Sequence, residues 1–241
     1  MIRTTYNNKR ARTYNPRKFI PHNSLWRHDL VSGFDRSQTT YITFDGSSGY
    51  ATWTDKELLA ATDDFTIEFW AIFYTTTDWQ RVFTQNASKY TPLSIYLKDS
   101  YLAFNFGSGH PLCFAGVEYT TSLWQHFAIT KNGSTYKGFV DGKQAAQVAE
   151  SPNAGDSDGN TFAARHAGTR NWANATLWQF RVWGYPMTQQ EIIYWRKKQP
   201  SAEHPALKAF WPMNEESGSN LYDVTGNGYD AVLSSTGWSW S

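Results

Sequence analysis

The sequence predicts an all-β protein: a two-sheet antiparallel sandwich with one short C-terminal helix and an extended N-terminal arm. Three observations predict it. Short runs of alternating apolar and polar residues recur at even spacing with turn residues between them, the pattern of a sandwich or barrel. Aromatic residues make up 17% of the 241-residue chain, against 40% hydrophobic and 18% charged, and aromatic side chains suit a pleated, half-covered surface. The stretch Leu123 to Lys143, LWQHFAITKNGSTYKGFVDGK, is two strands joined at Asn132-Gly133 and closed at Asp141-Gly142, dipeptides that tight hairpin turns with positive φ prefer. In its first strand Trp124, His126, Ala128 and Thr130 point one way and Gln125, Phe127, Ile129 and Lys131 the other. A hairpin cannot bury its apolar face alone, so a second layer is required. Sandwiches of this length are commonly single domains, which implies one domain over residues 37–241 behind an arm over residues 1–36.

The arm is polar, rich in Asn, Arg and Thr, and interrupted by Pro16 and Pro21. Arg3, Lys9, Arg10, Arg12, Arg17 and Lys18 give its first 18 residues six positive charges and no acid, which leaves 16 basic and 21 acidic residues for the remainder. The chain reads as a basic arm on a mildly acidic body. A segment of this composition cannot bury enough apolar surface to order itself, so it is expected to lie on a partner or to wrap its own domain. Nucleic acid is disfavoured as that partner, because only Tyr6, Tyr14 and Phe19 interleave the charges.

Strand signals begin at Thr39. Ile42 and Phe44 alternate with Tyr41, Thr43 and Asp45, Gly46 to Gly49 turns, and Tyr50 to Trp53 follows. DFTIEFWAIFY (64–74) is the strongest core strand, with Phe65, Ile67, Phe69, Ala71 and Phe73 on one face. Its other face, Thr66, Glu68, Trp70, Ile72 and Tyr74, is too apolar for open water and is expected to be covered or to line a pocket. Further strands are expected near 80–86, 92–98, 100–106 and 111–117. Ser151 to Asn160 reads as a loop. In the strand 175–183, Trp178, Phe180 and Val182 are expected on one face and Leu177, Gln179, Arg181 and Trp183 on the other. A helix starts at Thr188: Thr188 with Glu191 fits a capping box, Met187 with Ile192 a hydrophobic staple, and Pro200 stops it. Arg196, Lys197 and Lys198 suit its C-terminal dipole. Leu207 to Met213 and Tyr229 to Leu233 read as strands around a tight loop, so that residues 207–241 complete the sandwich.

Cys113 is the single cysteine, so no intrachain disulfide forms, and its apolar neighbours indicate packing rather than reactivity. The charged start is followed by no apolar run, and no stretch approaches the ~20 apolar residues of a membrane span. A protein made in a cytoplasm without an export signal of its own is the expectation.

Four segments, YITFDGSSGYATW (41–53), FTIEFWAIF (65–73), LWQHFAITKNGSTYKGFVDGK (123–143) and LWQFRVWGYPMTQQEI (177–192), together resemble the concanavalin A-like jelly rolls of the laminin-G and pentraxin type. A fifth, FWPMNEESGSNLYDVTGNGYDAVL (210–233), is similar to the segment that usually precedes the first. Here it comes last, which resembles a circular shift of the sandwich. The resemblance implies a jelly-roll form, and a family that spans lectins, adhesion modules, enzyme appendages and virion proteins, so function has to come from the site.

Hydrolases with this kind of sandwich carry paired carboxylates one strand apart, and no such run exists here: Glu68 stands alone, with Trp70 where a second carboxylate would sit. The six histidines show no metal spacing and no Gly-x-Ser-x-Gly elbow is present; His126 reads as a structural histidine. The chain is therefore expected not to be an enzyme. The resemblance implies a structural Ca²⁺ in loops rich in Asp, Asn and Gly, for which the candidates are Asp223, Asn227 and Asp230 in one loop and Asp156, Asp158 and Asn160 in another; Asx turns are the competing reading. Trp79 and Trp172, in loops, are candidates for stacking on a sugar, with Trp238 and Trp240 as further exposed rings. Two functions follow. One is a virion structural protein, a capsid decoration, fibre or tail component that is made in the host cytoplasm, docks on other virion proteins through the six basic residues of the arm, and displays the sandwich for adhesion. The alternative is a carbohydrate-binding lectin-like module, extracellular and facing a cell-surface glycan; a homo-oligomer is compatible with both.

Overall fold

The computed structural model describes residues 40–53, 56–60, 62–85, 93–106, 112–149, 159–165 and 168–241. In chain order the strands are β1 (Ile42–Asp45), β2 (Ala51–Trp53), β3 (Phe65–Phe73), β4 (Arg81–Gln85), β5 (Leu93–Lys98), β6 (Tyr101–Phe106), β7 (Leu112–Glu118) and β8 (Gln125–Asn132). They continue as β9 (Thr135–Val140), β10 (Lys143–Ala149), β11 (Thr161–Phe162), β12 (Asn174–Trp183), helix α1 (Gln189–Trp195), β13 (Leu207–Trp211), β14 (Asn220–Leu221), β15 (Ala231–Leu233) and β16 (Trp238–Trp240). Two antiparallel sheets form a jelly-roll sandwich. The first runs β10-β9-β8-β3-β12-β1-β16, with β13 also paired to β12; the second runs β14-β15-β2-β11-β4-β5-β6-β7.

The alternation expected of β3 holds: Phe65, Ile67, Phe69, Ala71 and Phe73 all enter the core between the sheets, where Phe69 stacks on Phe127 and Phe180 with centroids 5.7 and 5.0 Å apart. The faces expected of β12 are wrong in part. Trp178 pairs with Trp70 and Arg181 with Glu68, so three steps along β12 match two along β3, and Gln179 in the bulge takes φ 49°. One extra residue inverts everything on one side of it. Leu177 therefore joins Phe180 and Val182 in the core, and Trp178 joins Arg181 and Trp183 on the outer face.

The hairpin signal is also corrected by one position. Asn132 pairs with Thr135, so Gly133 and Ser134 make the turn; the Gly133 N–H donates to Asp64 Oδ1 at 2.7 Å, and this tie anchors the turn at Gly133. Asp141 and Gly142 form the second turn as expected, both at positive φ (51° and 78°). That turn lies against α1: Gln189 Nε2 donates to the Gly142 carbonyl at 2.9 Å, and a Cβ on Gly142 would come within 2.7 Å of Ile193. The helix begins as its sequence specifies, with Thr188 and Glu191 forming a complete capping box. It ends at Trp195, with Arg196 as the C-cap, so the basic residues follow its last turn rather than lie in it. Met187 and Ile192 pack with Ala128, Phe139, Trp183, Leu207 and Phe210 in a second cluster that covers one end of the first sheet's outer face.

Residues 207–241 add strands to both sheets. β13 pairs with the part of β12 that follows its β1-paired part, β15 pairs with β2, and β16 pairs with β1. Trp238 and Trp240 are half-buried edge-strand residues rather than open rings, because their Nε1 groups donate to the carbonyls of Ser234 (2.6 Å) and Gly218 (3.1 Å).

Candidate functional site

The alternation of β5 sends Leu93, Ile95 and Leu97 into the core and leaves Tyr96 and Lys98 side by side on the outer face of the second sheet. β5 turns into β6 through Asp99 and Ser100, both at positive φ (51° and 66°). A turn of this type usually contains Asn or Gly; here the Asp99 N–H is held by Asp78 Oδ1 at 2.7 Å. Trp79, next to Asp78, has φ 67°, a conformation bulky residues rarely adopt and one held only where surrounding contacts enforce it. Those contacts are present. The Trp79 N–H donates to the Leu97 carbonyl at 2.7 Å, the indole stacks on Tyr96 with centroids 5.6 Å apart and 12° between planes, and Lys98 Nζ is 5.2 Å from the indole centroid. Arg81 lies over Tyr96 at 4.3 Å. One face of the indole thus rests on the strand, and the other leaves Trp79 42% exposed.

The second predicted tryptophan is on the neighbouring loop. Arg81 N–H donates to the Asn171 carbonyl at 2.8 Å, and Gln80 Oε1 accepts the Asn174 N–H at 2.7 Å. The structure therefore brings the loops of Trp79 and Trp172 against one short segment, Gln80–Arg81. Trp172 is half-buried, and its Nε1 is buried without a hydrogen-bond partner among the described residues, so Trp79 presents the more open ring. Sequence reasoning missed Tyr96, Lys98 and Arg81. The signal for the first two was the period of LSIYLK, which places them outward.

The outer face of the first sheet holds a different cluster. Glu68 is fully buried; its Oε1 accepts from Arg181 Nη1 (3.0 Å) and Trp183 Nε1 (3.1 Å), and its Oε2 lies 3.1 Å from His126 Nε2. Arg181 also donates to the Trp195 carbonyl at 2.9 Å and to Gln179 Oε1. Burial raises the Glu68 carboxyl, but the Arg181 charge and the His126 bond outweigh it and hold it below its ordinary value. For His126, burial wins over the bond to Glu68 and lowers its pKa, so a neutral imidazole donates through Nε2. A carboxylate ionised, paired and closed off by Trp183 and Trp195 is a structural element, not a proton donor for a glycosidic bond.

The loop of Asp223, Asn227 and Asp230 is tied together by its own hydrogen bonds. Asp223 Oδ1 accepts from the Phe210 N–H, the Thr225 N–H and the Thr225 hydroxyl, and Oδ2 from the Tyr229 N–H. Asp230 Oδ1 accepts the Asp223 N–H, and Asn227 Nδ2 donates to the Lys208 carbonyl. These bonds engage both oxygens of Asp223 and Oδ1 of Asp230, the arrangement of the competing Asx-turn reading. In the other calcium loop Asp156 and Asp158 lie outside the described residues, and Asn160 is buried with its carbonyl accepting the Trp53 N–H at 3.1 Å. Among the described residues no group of three or more His, Cys, Asp or Glu is placed to hold a metal, and no helix is long and apolar enough to cross a membrane. Arg3, Lys9, Arg10, Arg12, Arg17 and Lys18, expected to dock on a partner, also lie outside the described residues.

The fold has known counterparts. A candidate carbohydrate-binding protein from Bacteroides ovatus superposes with TM-score 0.65 at 16% identity over 84% of this chain; the match spans 59% of that protein's length. A heptameric pentraxin from Limulus polyphemus matches at TM-score 0.55 and 12% identity, over 85% of this chain and 95% of its own. The sialyllactose-bound CBM40 domain of a Ruminococcus gnavus sialidase matches at TM-score 0.50 and 15% identity, over 64% of this chain and 96% of its own. These likenesses show the fold alone. A comparison with curated proteins finds no match. The family model of the concanavalin A-like lectin/glucanases superfamily, of laminin-G type, matches residues 45–193. With its jelly-roll sandwich and this match, the chain belongs to the concanavalin A-like lectin/glucanases superfamily.

Proposed function

We propose that the chain is a non-enzymatic, carbohydrate-binding module whose contact surface is the Trp79 ledge. One observation carries this reading. A bulky indole is kept in a left-handed backbone conformation, flat on Tyr96, with one face open. A flat, rigid aromatic face matches the C–H face of a pyranose ring, and fixed polar groups at its edge orient the hydroxyls. Lys98 can donate to a hydroxyl, while the carboxylates of Asp78 and Asp99 can accept. The family and the named ligands of the neighbouring folds support the same reading.

The burial and pairing of Glu68 with Arg181, His126 and Trp183 support a structural rather than a hydrolytic role for that carboxylate. The basic arm of the virion reading lies outside the described residues, and the family match and the carbohydrate-binding neighbours favour the glycan reading. A glycan array followed by calorimetric titration of the best-bound glycan tests it. Trp79→Ala should weaken binding at least about tenfold, the scale of one lost stacking platform, while leaving the unfolding transition in place. Full binding by Trp79→Ala, or an array that retains nothing, would contradict it.

A further inference from the structure

At the other end of the sandwich a cleft of about 420 Å³ is lined by Lys56, Glu57, Leu58, Ala60, Asp63, Lys208, Asn227 and Tyr229. Asp63 precedes β3 and Trp79 follows it, so the length of β3, about 30 Å for nine residues, separates the two sites. The volume lies toward the small end of the roughly 300–1,000 Å³ typical of ligand sites.

The lining is charge-balanced, with Lys56 and Lys208 against Glu57 and Asp63. Lys208 Nζ donates to Asp63 Oδ2 at 2.5 Å, and Oδ2 also accepts the Ala60 N–H at 3.1 Å. Lys56 Nζ donates to the Asn227 carbonyl at 2.5 Å and sits 4.6 Å above the Tyr229 ring. Each ammonium uses one of its three N–H donors in these bonds. Asp63 Oδ1 and Asn227 Oδ1 accept no hydrogen bond among the described residues, and Asn227 Nδ2 uses one N–H on the Lys208 carbonyl. Burial pushes the Asp63 carboxyl up, but the Lys208 bond, the Ala60 N–H and the charges of Lys208 and Lys131 outweigh it, so the group stays ionised.

An anion entering here would compete with Asp63 for Lys208, and a cation would compete with Lys208 for Asp63. A hydroxyl both donates and accepts, so neighbouring hydroxyls match spare donors set beside spare acceptors. We propose that this cleft is a second binding site, independent of the Trp79 ledge, for a neutral polyhydroxyl ligand: a single saccharide unit held between Lys56, Lys208, Asp63 and Asn227. The site stands whether or not Trp79 binds glycan, because it shares no residue with the ledge.

The test is an amide NMR titration of the whole chain with methyl pyranosides of glucose, galactose, mannose and N-acetylglucosamine, and separately with sodium phosphate and sodium acetate. At least one pyranoside should shift the amides of Leu58, Ala60, Asn227 and Gly228 with millimolar saturation. Lys56→Ala, at an exposed position, should weaken that response about tenfold, and Lys208→Met should do the same if its remaining spectrum is native; Trp79→Ala should leave it unchanged. The proposal is overturned if no pyranoside moves these amides, if only phosphate or acetate does, if Lys56→Ala has no effect, or if Trp79→Ala removes the response.

Discussion

The outer faces of the two sheets use the same kinds of residue to opposite ends. On the first sheet, Glu68, Arg181, His126 and Trp183 close on one another, and every one of them is essentially buried. On the second, Trp79, Tyr96, Arg81 and Lys98 also combine aromatic rings with cations, but the outermost ring, Trp79, remains 42% exposed. The difference comes from what covers each face. Helix α1 and its approach segment lie over the Glu68 cluster: the Trp195 carbonyl accepts from Arg181, Trp195 packs on Trp183 with centroids 5.1 Å apart, and the Met187 N–H donates to Thr66 Oγ1. No described helix lies over Trp79. Polar and aromatic groups sealed under a helix stabilise the sandwich; on the second sheet Tyr96 and Arg81 are buried as well, and Trp79 is the ring open to a ligand.

Breaking the sealed side should have the largest effect. Glu68→Ala leaves the Arg181 guanidinium buried without its carboxylate and should cost about 3–5 kcal/mol, read from the denaturant midpoint. Acid should act on the same cluster. Both groups have folded-state pKa values below their ordinary ones, so the unfolded chain takes up protons that the folded site refuses. Stability should therefore fall as the pH drops below 6.5, the ordinary value for His126, and fall further below 4.5 as Glu68 is reached. Denaturant midpoints compared at about pH 7 and about pH 5 should show the first loss, and His126→Gln should reduce it. Gly142→Ala strains a turn residue at φ 78° and pushes a methyl against Ile193, with an expected cost of about 1–2 kcal/mol in the same measurement. Trp79→Ala, on the open side, keeps a Cβ at the same positive φ and should change stability by no more than about 0.5 kcal/mol.

The sealed and open regions were unequally legible in the sequence. β3 and β8 announce themselves because an uninterrupted period of two has one physical reading, and the capping box at Thr188 specifies a helix start through local hydrogen bonds alone. The β12 faces were misread because a bulge leaves no mark in composition: nothing in LWQFRVW marks Gln179 as the extra residue. The Glu68 cluster is not legible in the sequence because it depends on the register that sets Arg181 opposite Glu68, a pairing of strands more than a hundred residues apart. Trp79 stands out in the sequence by its loop position, but the platform beneath it depends on contacts that its own loop does not reveal. The calcium candidates and the Asx-turn reading look alike in sequence, because Asp, Asn and Gly serve equally to bind a cation and to satisfy a tight loop's N–H groups.

A crossed pair of variants tests the division most directly. Trp79→Ala and Glu68→Gln would each be measured for unfolding midpoint and for affinity toward the glycan best bound by the wild-type chain. Trp79→Ala should lose binding about tenfold or more with an unchanged midpoint, and Glu68→Gln should lower the midpoint while the folded protein binds normally. A Trp79→Ala protein that binds as tightly as the wild type would contradict the account.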